Sequence, residues 1–492
     1  MLIPPRPEPL ARTRLGVLGF LRVAHSWIDA LTEKSYHMLL GHFRLPALRV
    51  FIVNDPAWVE RILVQEPERY PKHRLMHEAL EPLLGTSPFT TNGAQWQRQR
   101  RMLDQAFGHA RLGLVFPLMQ QACDDMLARL APPDDAPATV DMHEAMTHVT
   151  ADIIFRTIFS ERLPDAQAQA LFGAFARYQT LSQRAMVLRL FGLPMFGLGR
   201  ARARQAERIR GVLAARVRER FATLTDAQER DGADFLAGLR AARDPDDGSA
   251  LTETEVLDQI CMLFLAGHET SASALGWCMY LLGESADLQA ALRAEVEAAA
   301  PGRALAPQDM RRLGGLAAMF REVLRLYPPV GYFPREALED QEIRGVPVRK
   351  GSALLVFPWL LHRHRRWWTD PDAFLPGRFA ADRETRPVRG SYLPFGLGAR
   401  ACLGAGFAMQ EAALIMASLL RHHEILPVPA SPPKVIGRLT VRSDRGILVR
   451  LRRRPAHPAP AAEAGPPPDA PACPAMPRPA GTCPVHAHAT LP

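Results

Sequence analysis

Residues 251–284 read LTETEVLDQICMLFLAGHETSASALGWCMYLLGE, and no other stretch limits the fold so tightly. Apolar residues recur there at three- and four-residue intervals, the period of an α-helix, and the pattern holds for about thirty residues. A helix this long and this apolar has to cross the centre of the protein with other elements packed around it. Thr252 and Glu255 have the spacing of a capping box and mark its start. In its middle, Gly267-His268-Glu269-Thr270 interrupts the apolar run. Buried polar side chains cost free energy unless they find partners, so a break of this kind in a core helix points to a site.

A second feature lies 130 or so residues on, in Phe395-Gly396-Leu397-Gly398-Ala399-Arg400-Ala401-Cys402-Leu403-Gly404. One cysteine sits in a glycine-rich loop, two residues after an arginine, where an amphipathic helix of about Leu403–Arg421 begins. An isolated cysteine is most often a small buried hydrophobe; here a thiolate could be held, shielded and bonded to a metal. The positive end of the following helix lowers a thiol pKa. Gly398 and Gly404 let the backbone approach the sulfur and its ligand closely.

Three further sets of residues are weak alone. Glu322 and Arg325 form an i,i+3 pair before the helix stop Leu326-Tyr327-Pro328-Pro329, and Arg378 lies in the loop Phe374–Phe379. Trp96 and Arg100 share one helical face, and Arg335 follows in Pro334-Arg335-Glu336-Ala337. Such pairs are commonplace at surfaces and contribute little there.

Taken together, these residues resemble one family. The pattern F-x-x-G-x-R-x-C-x-G resembles the haem-binding loop of the cytochrome P-450 family, and Ala266-Gly267-His268-Glu269-Thr270 is similar to its oxygen-binding segment. The E-x-x-R, its partner arginine, and the W-x-x-x-R helix occur in family order, so the resemblance covers roughly residues 45–451. It implies a mainly α fold with small β-sheets (α+β) and haem b, iron protoporphyrin IX, between the long central helix and the cysteine loop. Cys402 is the implied iron ligand, its thiolate favouring O–O cleavage, with Phe395 packed beside it. Arg400, Trp96, Arg100 and Arg335 are implied to anchor the haem propionates. Gly267 makes room over the iron, Glu269 and Thr270 deliver protons, and His268 is left without a ligand role. Glu322, Arg325 and Arg378 are implied to lock the fold around the loop. The family loop usually carries a glutamate where this chain has Gly377.

The resemblance also implies a monooxygenase that uses two electrons and O2 to hydroxylate or epoxidise an apolar small molecule. The A-G-H-E-T and L-H-R-H stretches look similar to fatty-acid hydroxylating members, which suggests a fatty acid or other lipid; terpenoid, steroid and aromatic substrates stay open. The expected pocket draws on residues 72–94, on Phe172–Phe196, on Phe264 and Ala266, and on Val330–Phe333. No motif of a fused reductase is found, so electrons are expected from a ferredoxin or flavodoxin with its reductase, met by a basic surface that includes Arg98 and Arg101. Peroxide-using or rearranging relatives usually lack the acid–alcohol pair, and a haem sensor or carrier has no need of it. A helical protein with no haem is the remaining alternative.

Composition bounds the rest. The formal net charge is +9, and lysine occurs only at Lys34, Lys72, Lys350 and Lys434, so the basicity is nearly all arginine. No basic run is interleaved with aromatics and no nucleic-acid module appears, so no nucleic-acid partner is expected. Six scattered cysteines and no secretory signal indicate a reducing, cytoplasmic setting. Leu15–Ala24 is apolar but half the length of a bilayer span and interrupted by Arg22, so no transmembrane segment is expected and a surface contact stays open. The reading divides the chain into an N-terminal segment 1–44, a haem domain 45–452 and a Pro/Ala-rich tail 453–492. That tail lacks the apolar residues to offset its ordering entropy and is expected to be disordered. Its Cys473, Cys483, His486 and His488 fit no zinc spacing. A monomer is expected.

Overall fold

A computed structural model of the chain describes residues 1–11, 23–46, 48–107, 110–131, 136–195, 197–225, 234–381 and 386–455. Most of the apolar segment 15–24, and the expected disordered tail from residue 456 on, lie outside the described residues.

The central helix is Glu253–Gly283, 31 residues long and buried along most of its length. The capping box forms: the Thr252 N–H donates to the Glu255 carboxylate at 2.8 Å, and the Glu255 N–H donates to the Thr252 hydroxyl at 3.2 Å. The helix stays α through Gly267–Thr270. The polar run does not break it, because each polar side chain finds an acceptor or donor on the helix itself or on a neighbour.

Helix Met142–Phe159 packs along the central helix at two glycines. A Cβ on Gly267 would lie 2.9 Å from Ile154 Cγ1, and one on Gly276 would lie 3.9 Å from the His143 backbone. Helices Asp165–Leu190 and Leu198–Thr223 pack on each other and cover the same region with Arg74–Leu84. Helices Gly314–Leu326 and Ala405–His422 pack on the central helix and on each other.

The sheets are small. Leu40–Leu45, Leu48–Val53, Ala353–Val356 and Phe333–Glu336 form a four-stranded sheet in that order, with only the middle pair parallel. Ala138–Asp141, Leu448–Arg453 and His423–Pro427 form an antiparallel three-stranded sheet. Among the described residues the strand Ala138–Asp141 pairs with Leu448–Arg453, some 300 residues later, so no local signal announces it. Val435–Gly437 and Val441–Ser443 form a hairpin, as do Gln341–Ile343 and Val346–Val348. The architecture is the expected mainly α fold with small sheets. Among the described residues no helix is long and apolar enough to cross a membrane.

Candidate functional site

The loop Phe395–Gly404 contains one turn of 3-10 helix, Gly398–Arg400, and leads into helix Ala405–His422. It is closed by the Cys402 N–H, which donates to the Phe395 carbonyl at 2.7 Å. Arg100 holds it from outside, Nη1 donating to the Ala401 carbonyl at 2.8 Å. Gly398 has φ +73°, and a Cβ there would lie 2.2 Å from the Leu63 carbonyl oxygen. This glycine therefore serves the contact with Leu63, not the approach to sulfur that its sequence position suggests. At Gly404 a Cβ would meet no protein atom within 4 Å.

Cys402 is the exposed cysteine among those described; Cys123, Cys261 and Cys278 are buried. Protein nevertheless crowds around it, and burial pushes its thiol pKa up. The Gly404 N–H and Arg100 pull the other way without prevailing. The expected lowering by the helix end is thus present but outweighed by desolvation. A coordinated metal ion would remove the thiol proton outright.

Beside the loop, two cations lie over Trp96 and a third, Arg335, is close to both of them. The Arg400 guanidinium lies 4.5 Å from the Trp96 ring centroid and the Lys72 ammonium 5.8 Å. Arg335, on strand Phe333–Glu336, is 8% exposed. Lys72 Nζ is buried with no hydrogen-bond partner. Arg335 Nη1 donates to the Pro334 carbonyl and Arg400 Nη1 to Asn92 Oδ1, and none of the three forms an ion pair among the described residues. Burial, with Arg400 and Arg335 nearby, brings the Lys72 pKa down to about 6. Burial and Arg400 bring Arg335 down to about 9.

Desolvated cations without counter-charge are costly, so this cluster calls for an anionic group of at least two charges. The two propionates of a porphyrin would supply them, and a flat aromatic beside the exposed thiol of Cys402 completes a donor set that fits haem. Of the residues expected to anchor the propionates, Trp96 and Arg400 are brought together, with Arg335 next to Arg400. Arg100 is not part of the cluster: besides Ala401 it bonds Asp104 at 3.0 Å. Lys72 belongs to no motif, and its only sequence signal is the rarity of lysine in this chain.

On the central helix, Ala266 and Thr270 are half-buried on one face. The Thr270 hydroxyl donates back to the Ala266 carbonyl at 2.6 Å. Glu269 is buried and points elsewhere. Its carboxylate accepts from the Thr440 hydroxyl at 2.6 Å, at the hairpin tip, and from the Gln179 amide of helix Asp165–Leu190. Burial pushes its pKa up, against Arg442, Thr440 and Gln179, which pull it down. Glu269 and Thr270, adjacent in sequence, share no hydrogen bond. Gly267 faces Ile154, so the room it makes is for a neighbouring helix.

His268 is buried with Nδ1 2.5 Å from the Phe264 carbonyl. Its ring centroid lies 4.9 Å from Phe264, 5.1 Å from Phe175 and 6.2 Å from Phe172. Burial brings its pKa down to about 4, so it is neutral. Phe264, an expected pocket residue, is spent in this aromatic packing, 5.5 Å from Phe175. Gln179 and Thr440 come from segments 90 and 171 residues away from Glu269 and carry no local signal.

Glu322, Arg325 and Arg378, expected to lock the fold, are brought together. Glu322 and Arg325 are both 0% exposed. Arg325 Nε and Nη2 each reach the Glu322 carboxylate at 2.8 Å, and Arg378 Nε reaches it at 3.3 Å. Arg325 also donates to the carbonyls of His362, Pro371 and Ala373. A Cβ on Gly377 would meet nothing within 4 Å, so the missing glutamate leaves this geometry intact. Arg98 and Arg101, expected on a basic docking surface, are instead paired internally with Glu255, Asp244 and Asp246.

A family model described as Cytochrome P450 matches residues 15–449. The chain is 32% identical to a cyclooctatin synthase of Streptomyces melanosporofaciens over 419 residues, 84% of this chain and 88% of the relative. It is 29% identical to a cyclooctat-9-en-7-ol 5-monooxygenase of the same organism, covering 82% and 86% of the two chains. Among solved structures it is similar to the cytochrome P450DA heme domain, with a TM-score of 0.77 at 23% identity, covering 92% of this chain and 99% of that one.

Proposed function

The chain belongs to the cytochrome P450 family and is an oxidoreductase of the monooxygenase kind, and from that premise we propose that it holds haem b on Cys402 and oxygenates an apolar terpenoid. The observation that carries the cofactor assignment is the cluster of Lys72 and Arg400 over Trp96 with Arg335 close by, none of them in an ion pair among the described residues, next to the one exposed cysteine among those described. When bound, haem supplies the iron at which O2 is activated, with thiolate donation favouring O–O cleavage.

The protein's own residues set the conditions. Lys72, Arg335 and Arg400 neutralise the propionates by charge-assisted contacts. Arg100 fixes the Ala401 carbonyl and so the turn that carries Cys402. Ala266 and Thr270 share a half-buried face of the central helix, and the Thr270 hydroxyl, which donates to the Ala266 carbonyl, can turn its proton away from the helix toward that face. Glu269, its pKa pushed up by burial against the pull of Arg442, Thr440 and Gln179, moves protons from the Gln179–Thr440 side through water.

The relatives' names favour a terpenoid over the fatty acid that the sequence suggests. Electrons come from a ferredoxin or flavodoxin with its reductase; Arg98 and Arg101, already paired, are not the docking cations.

The dithionite-reduced, CO-bound protein will show the strongly red-shifted Soret band of thiolate ligation, and Cys402→Ala will abolish it. A preparation without that band sinks the proposal. Reconstitution with a ferredoxin, its reductase and terpenoid candidates, read as a product gaining one oxygen atom, tests the substrate class.

A further inference from the structure

Helix Asp165–Leu190 turns one stripe of residues toward the distal side of the site. Phe172 and Phe175 rest against His268, Gln179 donates to Glu269, and Met186 Sδ receives the Tyr332 hydroxyl at 3.7 Å. At 3.6 residues per turn these positions share a face, and Gln183 lies within it, one turn after Gln179 and one before Met186. Gln183 is 4% exposed, and both ends of its amide, Oε1 and Nε2, are buried without a hydrogen-bond partner. The polar neighbours on either side of it are satisfied; Gln183 is not.

A buried amide left unpaired at both ends is strongly unfavourable. It lies on that face between Gln179, which reaches Glu269 of the candidate site, and Met186, which meets Tyr332 of the expected pocket segment Val330–Phe333. The missing partner must both donate to Oε1 and accept from Nε2. A hydroxyl does both with one atom. A carbonyl or a carboxylate only accepts, and a hydrocarbon does neither.

We propose that Gln183 is a specificity-determining residue that receives the hydroxyl of an already oxygenated, otherwise apolar substrate. This rests on the monooxygenase reading above and narrows its substrate class to an alcohol, so that a hydroxyl-forming reaction must supply the substrate.

The test uses the haem-loaded full chain and two matched probe pairs, geranylgeraniol with its deoxy hydrocarbon and cedrol with cedrane. Dissociation constants are measured by calorimetry and by the ferric Soret shift. The parent protein will bind the alcohols about five- to fiftyfold more tightly than the hydrocarbons, the span expected for a buried polar group gaining or losing its partner. In Gln183→Leu and Gln183→Met the ratio will fall to about one with hydrocarbon affinity kept. Neither variant will be less thermostable than the parent, since both remove the unpaired groups; if one fails to fold, the other carries the test.

No alcohol preference in the parent, or a preference that survives both variants, overturns the proposal; in the first case a buried water satisfies the amide, in the second another group receives the hydroxyl. Hydrocarbons bound and oxygenated without preference leave the monooxygenase reading standing while the role of Gln183 falls. If neither member of either pair binds, the terpenoid reading falls with it.

Discussion

Replacing Glu322 by glutamine separates charge from shape in the buried lock. The carboxylate accepts four N–H bonds: Arg325 Nη2, the Leu375 N–H and Arg378 Nε at Oε1, and Arg325 Nε at Oε2. Glutamine keeps the shape, but it removes the negative charge facing two guanidinium groups and turns one acceptor into a donor. With the amide oxygen kept at the Oε1 site, the new NH2 meets Arg325 Nε across the former 2.8 Å bond. Removing one partner of a buried pair costs about 3–5 kcal/mol.

Arg325 keeps the carbonyls of His362, Pro371 and Ala373, and Arg378 keeps that of Asp370. These oxygens take up part of the uncovered charge, so the loss for Glu322→Gln falls near 3 kcal/mol, or about a third of an ordinary domain's stability. Urea unfolding of the haem-loaded protein, followed by far-UV circular dichroism, measures it. With a slope of about 3 kcal/mol per M, the midpoint falls by about 1 M. Arg378→Met leaves the Glu322–Arg325 pair whole and will lower the midpoint by about half as much or less. A Glu322→Gln midpoint within about 0.2 M of the parent at equal slope, or a larger loss from Arg378→Met, refutes the reasoning.

Three further outcomes are expected. Lys72→Met will speed haem transfer to apomyoglobin about tenfold or more, through loss of one charge-assisted contact; an unchanged rate removes Lys72 from the propionate site. In the haem-free chain the same lysine, depressed from 10.5 to about 6, releases a proton on folding between those pH values. Stability therefore rises with pH through that window, and the variant will flatten the rise in denaturant midpoint. Gly398→Ala meets both a left-handed φ, about 1–2 kcal/mol, and the Leu63 carbonyl; the fraction of protein with the red-shifted CO band will drop, and a full band shows the loop to be more adaptable than its packing indicates. Thr440→Val removes a hydroxyl that holds the Glu269 carboxyl down, so the limb of the pH profile for coupled product formation that reports Glu269 will move to higher pH, whereas an unmoved limb assigns that limb to another group.

Legibility in the sequence followed the range of the physics. The central helix and its Thr252–Glu255 cap could be read to within a residue, because periodicity and capping are local. The Cys402 loop and the Glu322–Arg325–Arg378 cluster were legible because their residues keep fixed spacings within the family. Lys72, Gln179, Gln183 and Thr440 were not, since each acquires its meaning only from elements that the fold brings near. The same holds for the strand Ala138–Asp141, which exists through its pairing with Leu448–Arg453. The thiol of Cys402 was misjudged for a related reason. The helix end that lowers its pKa is visible in sequence, whereas the surrounding atoms that raise it are not.

The contacts that shape the cysteine loop also set when it can form. Ala401 is bonded to Arg100 across 301 residues and Arg400 to Asn92 across 308, and Gly398 sits against Leu63. A chain emerging from the ribosome completes its first third long before these partners exist. During that interval Lys72, Trp96 and Arg100 wait without the loop they are built to meet, and contacts of such long range are slow to close. The loop around Cys402 is therefore completed late in the life of this polypeptide, and a product shortened ahead of residue 395 keeps Lys72, Trp96 and Arg100 but never acquires that loop.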